Sequence, residues 1–291
     1  MPERPALISP RELYELMRRG AGDTPLLLDV RWALGADDGY DAYLQGHLPG
    51  AVFVDLERDL SGELAEDGTG GRHPMPTVDD FEIDMAECGV DNDRPVVCYD
   101  DSGSLAAARC WWLLRHFGKY DVQVLDGGLQ QWRAQRLPIE SGLRLTEEGD
   151  FSVRRGHSQV LQAEQATMFA EQGLLLDCRP ADRFRGENEI IDPIAGHIPG
   201  AVSMPARTLT DEFGRFLPTE ELRAKLMAVG VDGERPVATY CGSGVQASHV
   251  ALAISVAGLG EVVPIYIGSW SDWITDPSRP IAIGYSVPPN A

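Results

Sequence analysis

Residues 174–179 read LLLDCR and residues 26–31 read LLLDVR, so one apolar run closed by an acid and a base occurs twice in the chain. Three further blocks recur in the same order. GHLPGAV (46–52) returns as GHIPGAV (196–202), PVVCYDDSG (95–103) as PVATYCGSG (236–244), and VLDGGLQQW (124–132) as IYIGSWSDW (265–273). Four matched blocks in one order mark a duplicated domain, with a period too long for a solenoid. Within each copy, short apolar runs such as 26–30, 95–99 and 122–125 alternate with helix-like stretches such as 105–117. That alternation reads as βαβ units around a parallel sheet, an α/β fold built as two tandem domains of sheet flanked by helices. The polar, weakly periodic stretch after residue 142 suggests a first domain over 1–142, a linker over 143–157 and a second domain over 158–291.

The chain has 291 residues, 43% apolar and 24% charged, enough for a core in each half. Its net charge of −20 and pI near 4.6 argue against nucleic acid or an anionic membrane as partner, since phosphate binding needs clustered Lys and Arg. A small molecule is the expected substrate. The N-terminal stretch lacks a signal-peptide core, and the apolar run 250–258 is too short to span a bilayer, so a soluble, cytoplasmic protein is expected. Five cysteines without CxxC spacing speak against a zinc site and a disulfide framework, and most read as small buried hydrophobes.

The exception is Cys241, in TYCGSGVQASH (239–249). The spacing predicts a buried strand over 236–240 and a helix over 246–257 stopped by Gly258. In open α/β sheets, sites lie beyond the carboxyl ends of strands, where Cys241 and Asp177 both fall. Gly242 and Gly244 allow successive N–H groups to turn inward toward the positive end of the helix. Such a cradle stabilises an anion at sulfur, as nucleophilic sulfur chemistry requires. The matching position in the first copy is Asp100, so one active site is expected. A cysteine phosphatase would need an Arg six positions after the Cys, where this chain has Ala247.

Taken together, the GH(L/I)PGA blocks, the Cys-Gly-Ser-Gly-Val loop and the DGG and GSW turns resemble the rhodanese sulfurtransferase family, particularly its 3-mercaptopyruvate branch. The resemblance covers nearly the whole chain. It implies two rhodanese-like domains, an inactive first and a catalytic second, with sulfane sulfur carried as a persulfide on Cys241. A small-molecule donor supplies the sulfur, and a thiol such as a thioredoxin or low-molecular-weight thiol, or cyanide, accepts it. No cofactor and no metal are expected, and the chain is expected as a monomer or weak homodimer.

Thiosulfate-using members carry Arg and Lys directly after the Cys, whereas this chain has Gly242 and Ser243. That resembles the mercaptopyruvate branch, whose serine belongs to a Ser-His-Asp relay. His73, in GGRHPMP, matches its histidine, the alternative being a surface-loop residue, and Glu57 aligns with its acid, with Asp55 and Asp59 as competitors. The family binds the donor carboxylate with two arginines. Arg183 matches the first, while the second has no match because the segment 187–195 is shorter and acidic, leaving Arg179 or Arg185 to substitute. Gly242, Gly244, Val245 and Gln246 form the expected substrate cradle, with Gln246 replacing the family's Thr and Ile267 standing where an Asp is usual. Asp177 reads as a helix cap or an organiser of Arg179 and Arg183. Trp32 reads as a site-lining aromatic or interdomain core. His47 and His197, present in both copies, read as structural. The alternatives are a thiosulfate:cyanide sulfurtransferase and a persulfide carrier without efficient turnover.

Overall fold

The structure, a computed structural model, describes residues 4–20, 24–154, 156, 159–261 and 263–285. Arg155 and His157 of the expected linker, and Ser158, expected to open the second domain, lie outside the described residues, as do both chain ends. The first copy comprises β1 (Leu7–Ile8), α1 (Pro10–Arg19), β2 (Leu26–Asp29), α2 (Gly39–Gln45), β3 (Val52–Phe53), α3 (Val78–Glu87), β4 (Val96–Tyr99), α4 (Leu105–His116), β5 (Val122–Leu125) and α5 (Gly128–Ala134). The second comprises α6 (Ala163–Gln172), β6 (Leu174–Asp177), α7 (Ala181–Arg185), β7 (Val202–Ser203), a 3-10 turn (Ala206–Leu209), α8 (Thr219–Ala228), β8 (Val237–Tyr240), α9 (Val245–Val256) and α10 (Ser269–Trp273). No helix among the described residues is long and apolar enough to cross a membrane.

Both sheets are parallel. The first has the order β1-β5-β4-β2-β3, and the second β7-β6-β8, extended by parallel bridges from Thr239 to Ile265 and from Ile265 to Val160. The second sheet thereby repeats the order of the first. Strands covered on both faces must be apolar throughout, which is why β2, β4 and β6 read as continuous runs and are buried at every position. One core lies on Leu27, Val97, Tyr99 and Trp132, the other on Leu175, Ala238, Tyr240 and Trp270.

The paired LLLDxR and GHxPG blocks have one physical purpose. Arg179 grips Asp177 through Nε and Nη2 at 3.0 and 2.6 Å, and its Nη2 also donates to the Gly196 carbonyl at 2.6 Å. Arg31 does the same with Asp29 and the Gly46 carbonyl, at 2.9, 2.8 and 3.0 Å. A buried tyrosine completes each: Tyr99 accepts the Leu48 N–H, and Tyr240 the Ile198 N–H, both at 3.1 Å. The strand end is thus bolted to the following turn. His47 and His197 pack in those turns, each with Nδ1 against a carbonyl, of Tyr43 and Phe184 respectively.

Asp177 thus organises Arg179, and the pair has the character of scaffold rather than of the substitute arginine at the substrate. Both are 0% exposed, their facing edges are committed to each other, and the same pair exists in the copy that has Asp100 in place of the loop cysteine. Asp177 does not organise Arg183, which pairs instead with Glu189 and Asp192.

The chain divides into two compact units, and these do not follow it contiguously. The first contains Met1–Gly62, Pro76–His157 and Thr210–Phe216; the second contains Glu63–Met75, Ser158–Leu209 and Leu217–Ala291. In the second unit, Gly70 N–H donates to Asp272 at 2.8 Å and Arg72 N–H to Ser271 Oγ at 3.1 Å. Gly71 has φ +78°, and a Cβ there would lie 2.3 Å from the Gly268 carbonyl oxygen, so only glycine permits this approach. In the first unit, Phe216 N–H donates to Asp126 at 2.9 Å. The stretch expected as linker is also anchored in the first unit, because Phe151 is buried and the Gly149, Phe151 and Arg154 amides bond to the Ala86, Val90 and Phe117 carbonyls.

Removing one partner of a buried pair leaves an uncompensated charge, so Arg179→Leu is expected to lower stability by about 3–5 kcal/mol, and Arg31→Leu similarly. Urea denaturation checks this. Loss of donor affinity with unchanged stability in Arg179→Leu would return Arg179 to the substrate.

Candidate active site

β8 ends at Tyr240, and α9 starts four residues beyond Cys241. Between them Gly244 takes φ +83°, a left-handed conformation that turns its N–H back onto the Cys241 Sγ at 3.1 Å. The GSW turn braces the loop from behind. Ser269 Oγ accepts the Cys241 N–H at 3.1 Å and donates to the Tyr266 carbonyl at 2.8 Å, while the Trp270 and Ser271 amides hold the Cys241 and Gly242 carbonyls, each at 3.0 Å. Ser269 itself sits at φ +57°, a strained position for a non-glycine residue, and the matching residue in the first unit is Gly128 at φ +52°. The serine is there for its hydroxyl.

Gly242 does not share the left-handed conformation. A Cβ on it would lie 2.8 Å from Arg72 Nη2 and 3.8 Å from Arg183 Nη1, so this glycine is required for space rather than for turning. Val245 is buried at the helix start, and Gln246 is half-buried in the first turn.

The first unit shows what such a loop does with an anion. Asp100, in the cysteine's place, is buried, and its carboxylate accepts four backbone N–H groups, from Ser102, Ser104, Ala106 and Ala107, at 2.9–3.0 Å. Burial pushes this carboxyl's pKa up against the downward pull of those donors. The cradle is filled by its own side chain.

Three side chains gather on the Cys241 loop. His73 Nδ1 lies 2.7 Å from Ser243 Oγ, and both residues are buried. Arg183 donates through Nε to both Glu189 carboxylate oxygens at 3.0 Å and through Nη2 to Asp192 at 2.7 Å. Arg72 reaches the other oxygen of Asp192 through Nη1. Burial raises the Glu189 carboxyl's pKa, but the Arg183 bond and two backbone N–H groups outweigh it and hold the group below the usual range. The acids of 187–195 therefore fix the arginines.

Arg72, Asp192 and Ser269 were not singled out in the sequence. Arg72 adjoins His73 in GGRHPMP, which was the available signal. Arg185 bonds Glu187 at 2.6 Å and stacks over Tyr285, so it takes no part in the cluster. Glu57 and Trp32 belong to the first unit, where Trp32 Nε1 donates to Glu57 at 3.1 Å and both line a cavity of about 360 Å³ with Tyr40, Phe53 and Arg58. Asp55 and Asp59 are engaged locally, Asp55 with the Glu57 and Arg58 amides, Asp59 with the Asp55 amide and the Arg58 guanidinium. The other cysteines, Cys88, Cys98, Cys110 and Cys178, are buried and free; burial raises the Cys178 thiol's pKa well above its ordinary value.

The rhodanese-like domain matches residues 9–135 and 161–276. This chain belongs to that family. A Mycobacterium tuberculosis protein provisionally named thiosulfate sulfurtransferase SseB is 41% identical over 283 residues, covering 96% of this chain and 97% of its own. A Pseudomonas aeruginosa protein named a probable 3-mercaptopyruvate sulfurtransferase is 45% identical over 269 residues, covering 89% and 92%. Among solved structures, Escherichia coli SseA, reported for the rhodanese fold and mechanism of 3-mercaptopyruvate sulfotransferases, superposes with a TM-score of 0.80 at 32% identity over 92% of this chain and 99% of SseA. The chain is a rhodanese-family sulfurtransferase.

In this sulfurtransferase, Ser269→Ala leaves the buried Cys241 N–H without its acceptor, and the expected loss is about 1–3 kcal/mol of stability. Ser269→Gly relieves the φ strain and is expected to lose less. Thermal denaturation of the two variants checks the order.

Proposed function

We propose that the enzyme takes sulfur from 3-mercaptopyruvate, holds it as a persulfide on Cys241 and passes it to a thiol or to cyanide. The observation that carries this reading is the 2.7 Å contact of His73 with Ser243, a proton-handling pair two residues from the nucleophile. In the first half-reaction the Cys241 sulfur bonds the donor sulfur, the donor C–S bond breaks, and its electron pair leaves on carbon as the pyruvate enolate. One proton, relayed by Ser243 and His73, converts the enolate to pyruvate. In the second, an acceptor thiolate attacks the outer sulfur and releases the Cys241 thiolate. The persulfide is itself an anion suited to a cradle of N–H groups, as the buried Asp100 carboxylate illustrates in the matching loop.

Thiosulfate, named for the mycobacterial relative, leaves sulfite on S–S cleavage and needs no proton at carbon. It also brings two close charges to a loop with no basic residue of its own. Arg183, with Nη1 toward Gly242, contributes to holding the mercaptopyruvate carboxylate. A cytoplasmic setting fits five free cysteines.

Incubation with donor alone is expected to add one sulfur atom to the peptide carrying Cys241, and Cys241→Ser to abolish turnover. Initial rates with both donors test the rest. The expected outcome is a higher kcat/KM for mercaptopyruvate, with Ser243→Ala and His73→Ala each reducing its use far more than that of thiosulfate. Equal losses with both donors would leave the relay as ordinary loop residues.

A further inference from the structure

We propose that Arg72 is the principal carboxylate anchor of the donor site, gripping it with a two-pronged edge, while Arg183 supplies a single N–H. This rests on the mercaptopyruvate reading above and names the residue that would distinguish its substrate. An arginine binds a carboxylate best side-on, through Nε and Nη2 together. In Arg179 that edge is closed by Asp177. In Arg183 it is closed by Glu189, with Nε at 3.0 Å and Nη2 at 2.9 Å. Arg72 differs. Asp192 takes its Nη1, at the opposite end of the guanidinium, while its Nε is buried without a hydrogen-bond partner and its Nη2 comes closest of all to Gly242, the residue after the nucleophile.

Asp192 has a second effect. It is shared by both arginines and its side chain is 1% exposed, so it fixes the guanidinium orientations and removes part of their positive charge. With Glu189, the cluster sets two acids against two bases. The cluster is therefore neutral overall, so a monoanionic carboxylate at the unpaired edge of Arg72 is held by the fork's hydrogen bonds, whereas a dianion meets no excess positive charge to offset its desolvation. The missing second arginine of the 187–195 segment is thus replaced from the 63–75 segment.

The test compares Arg72→Lys with Arg183→Lys. Lysine keeps the charge but cannot form the fork, and it can replace a single N–H. Arg72→Lys is expected to raise the mercaptopyruvate KM about tenfold or more with kcat nearly unchanged, and Arg183→Lys much less. The methyl ester of mercaptopyruvate, which lacks the anion, should be used by Arg72→Lys as well as by the parent enzyme, which separates lost anchoring from misfolding. Asp192→Asn should shift the ratio of kcat/KM values toward thiosulfate. An unchanged KM in Arg72→Lys, or a larger rise in Arg183→Lys, overturns the assignment. Pyruvate protection of Cys241 against iodoacetamide decides it independently of turnover: protection in the parent and none in Arg72→Lys supports it, equal protection refutes it. If the parent enzyme forms no pyruvate from mercaptopyruvate, the donor reading fails, and the protection assay still decides Arg72.

Discussion

The active loop depends on an ion pair that never meets substrate. Asp177 closes β6, Arg179 clamps it to the Gly196 turn, and the Arg179 guanidinium lies over the Trp270 ring at 4.7 Å. The Trp270 amide in turn holds the Cys241 carbonyl. A charge pair taken wholly out of water tolerates little displacement, since each partner is stabilised only in the geometry that satisfies the other. The sulfur therefore sits at the end of a rigid chain of contacts that starts inside the core, and its placement does not rely on the exposed surface.

The two copies share this scaffold and differ in what fills the cradle above it. In the first, Asp100 folds into its own N–H nest and saturates it. In the second, a neutral or anionic sulfur occupies the same place with the Gly244 N–H on it, leaving the loop able to accept a ligand. The position of a single carboxylate, rather than any change of fold, separates a scaffold copy from a reactive one. The acids of 187–195 make the complementary point, because their burial against Arg183 and Arg72 turns a negative segment into a holder of positive charge.

Strands, helices and the Cys241 turn were legible in the sequence because each follows from local pattern: LLLD and VVCY are buried on both faces, and α9 begins and ends within a residue of the expected span 246–257. Arg179 is offered by the sequence as a substitute for the missing arginine of 187–195, whereas its guanidinium is buried against Asp177 and the Gly196 carbonyl. The recurrence of the same Asp-X-Arg in the inert copy already carried the structural answer. The pairing of His73 with Ser243 came only through likeness to known proteins, since 170 positions separate the two residues. Arg72 and Asp192 were invisible for the same reason in stronger form, as their meeting depends on a short segment joining the unit built from the other half of the chain.

That exchange of segments bears on how the protein is made. Ribosomal synthesis delivers a chain at about 5–20 residues per second and lets early domains close first. Here the Glu63–Met75 segment emerges long before the residues it packs with, and the first unit still awaits Thr210–Phe216 when its own sheet is complete. Neither unit can finish before synthesis has passed well into the other. The nascent chain must hold an unmet Asp126 and an unplaced 63–75 segment at the same time, so the order of translation, and not only the final contacts, sets when Cys241 acquires its surroundings.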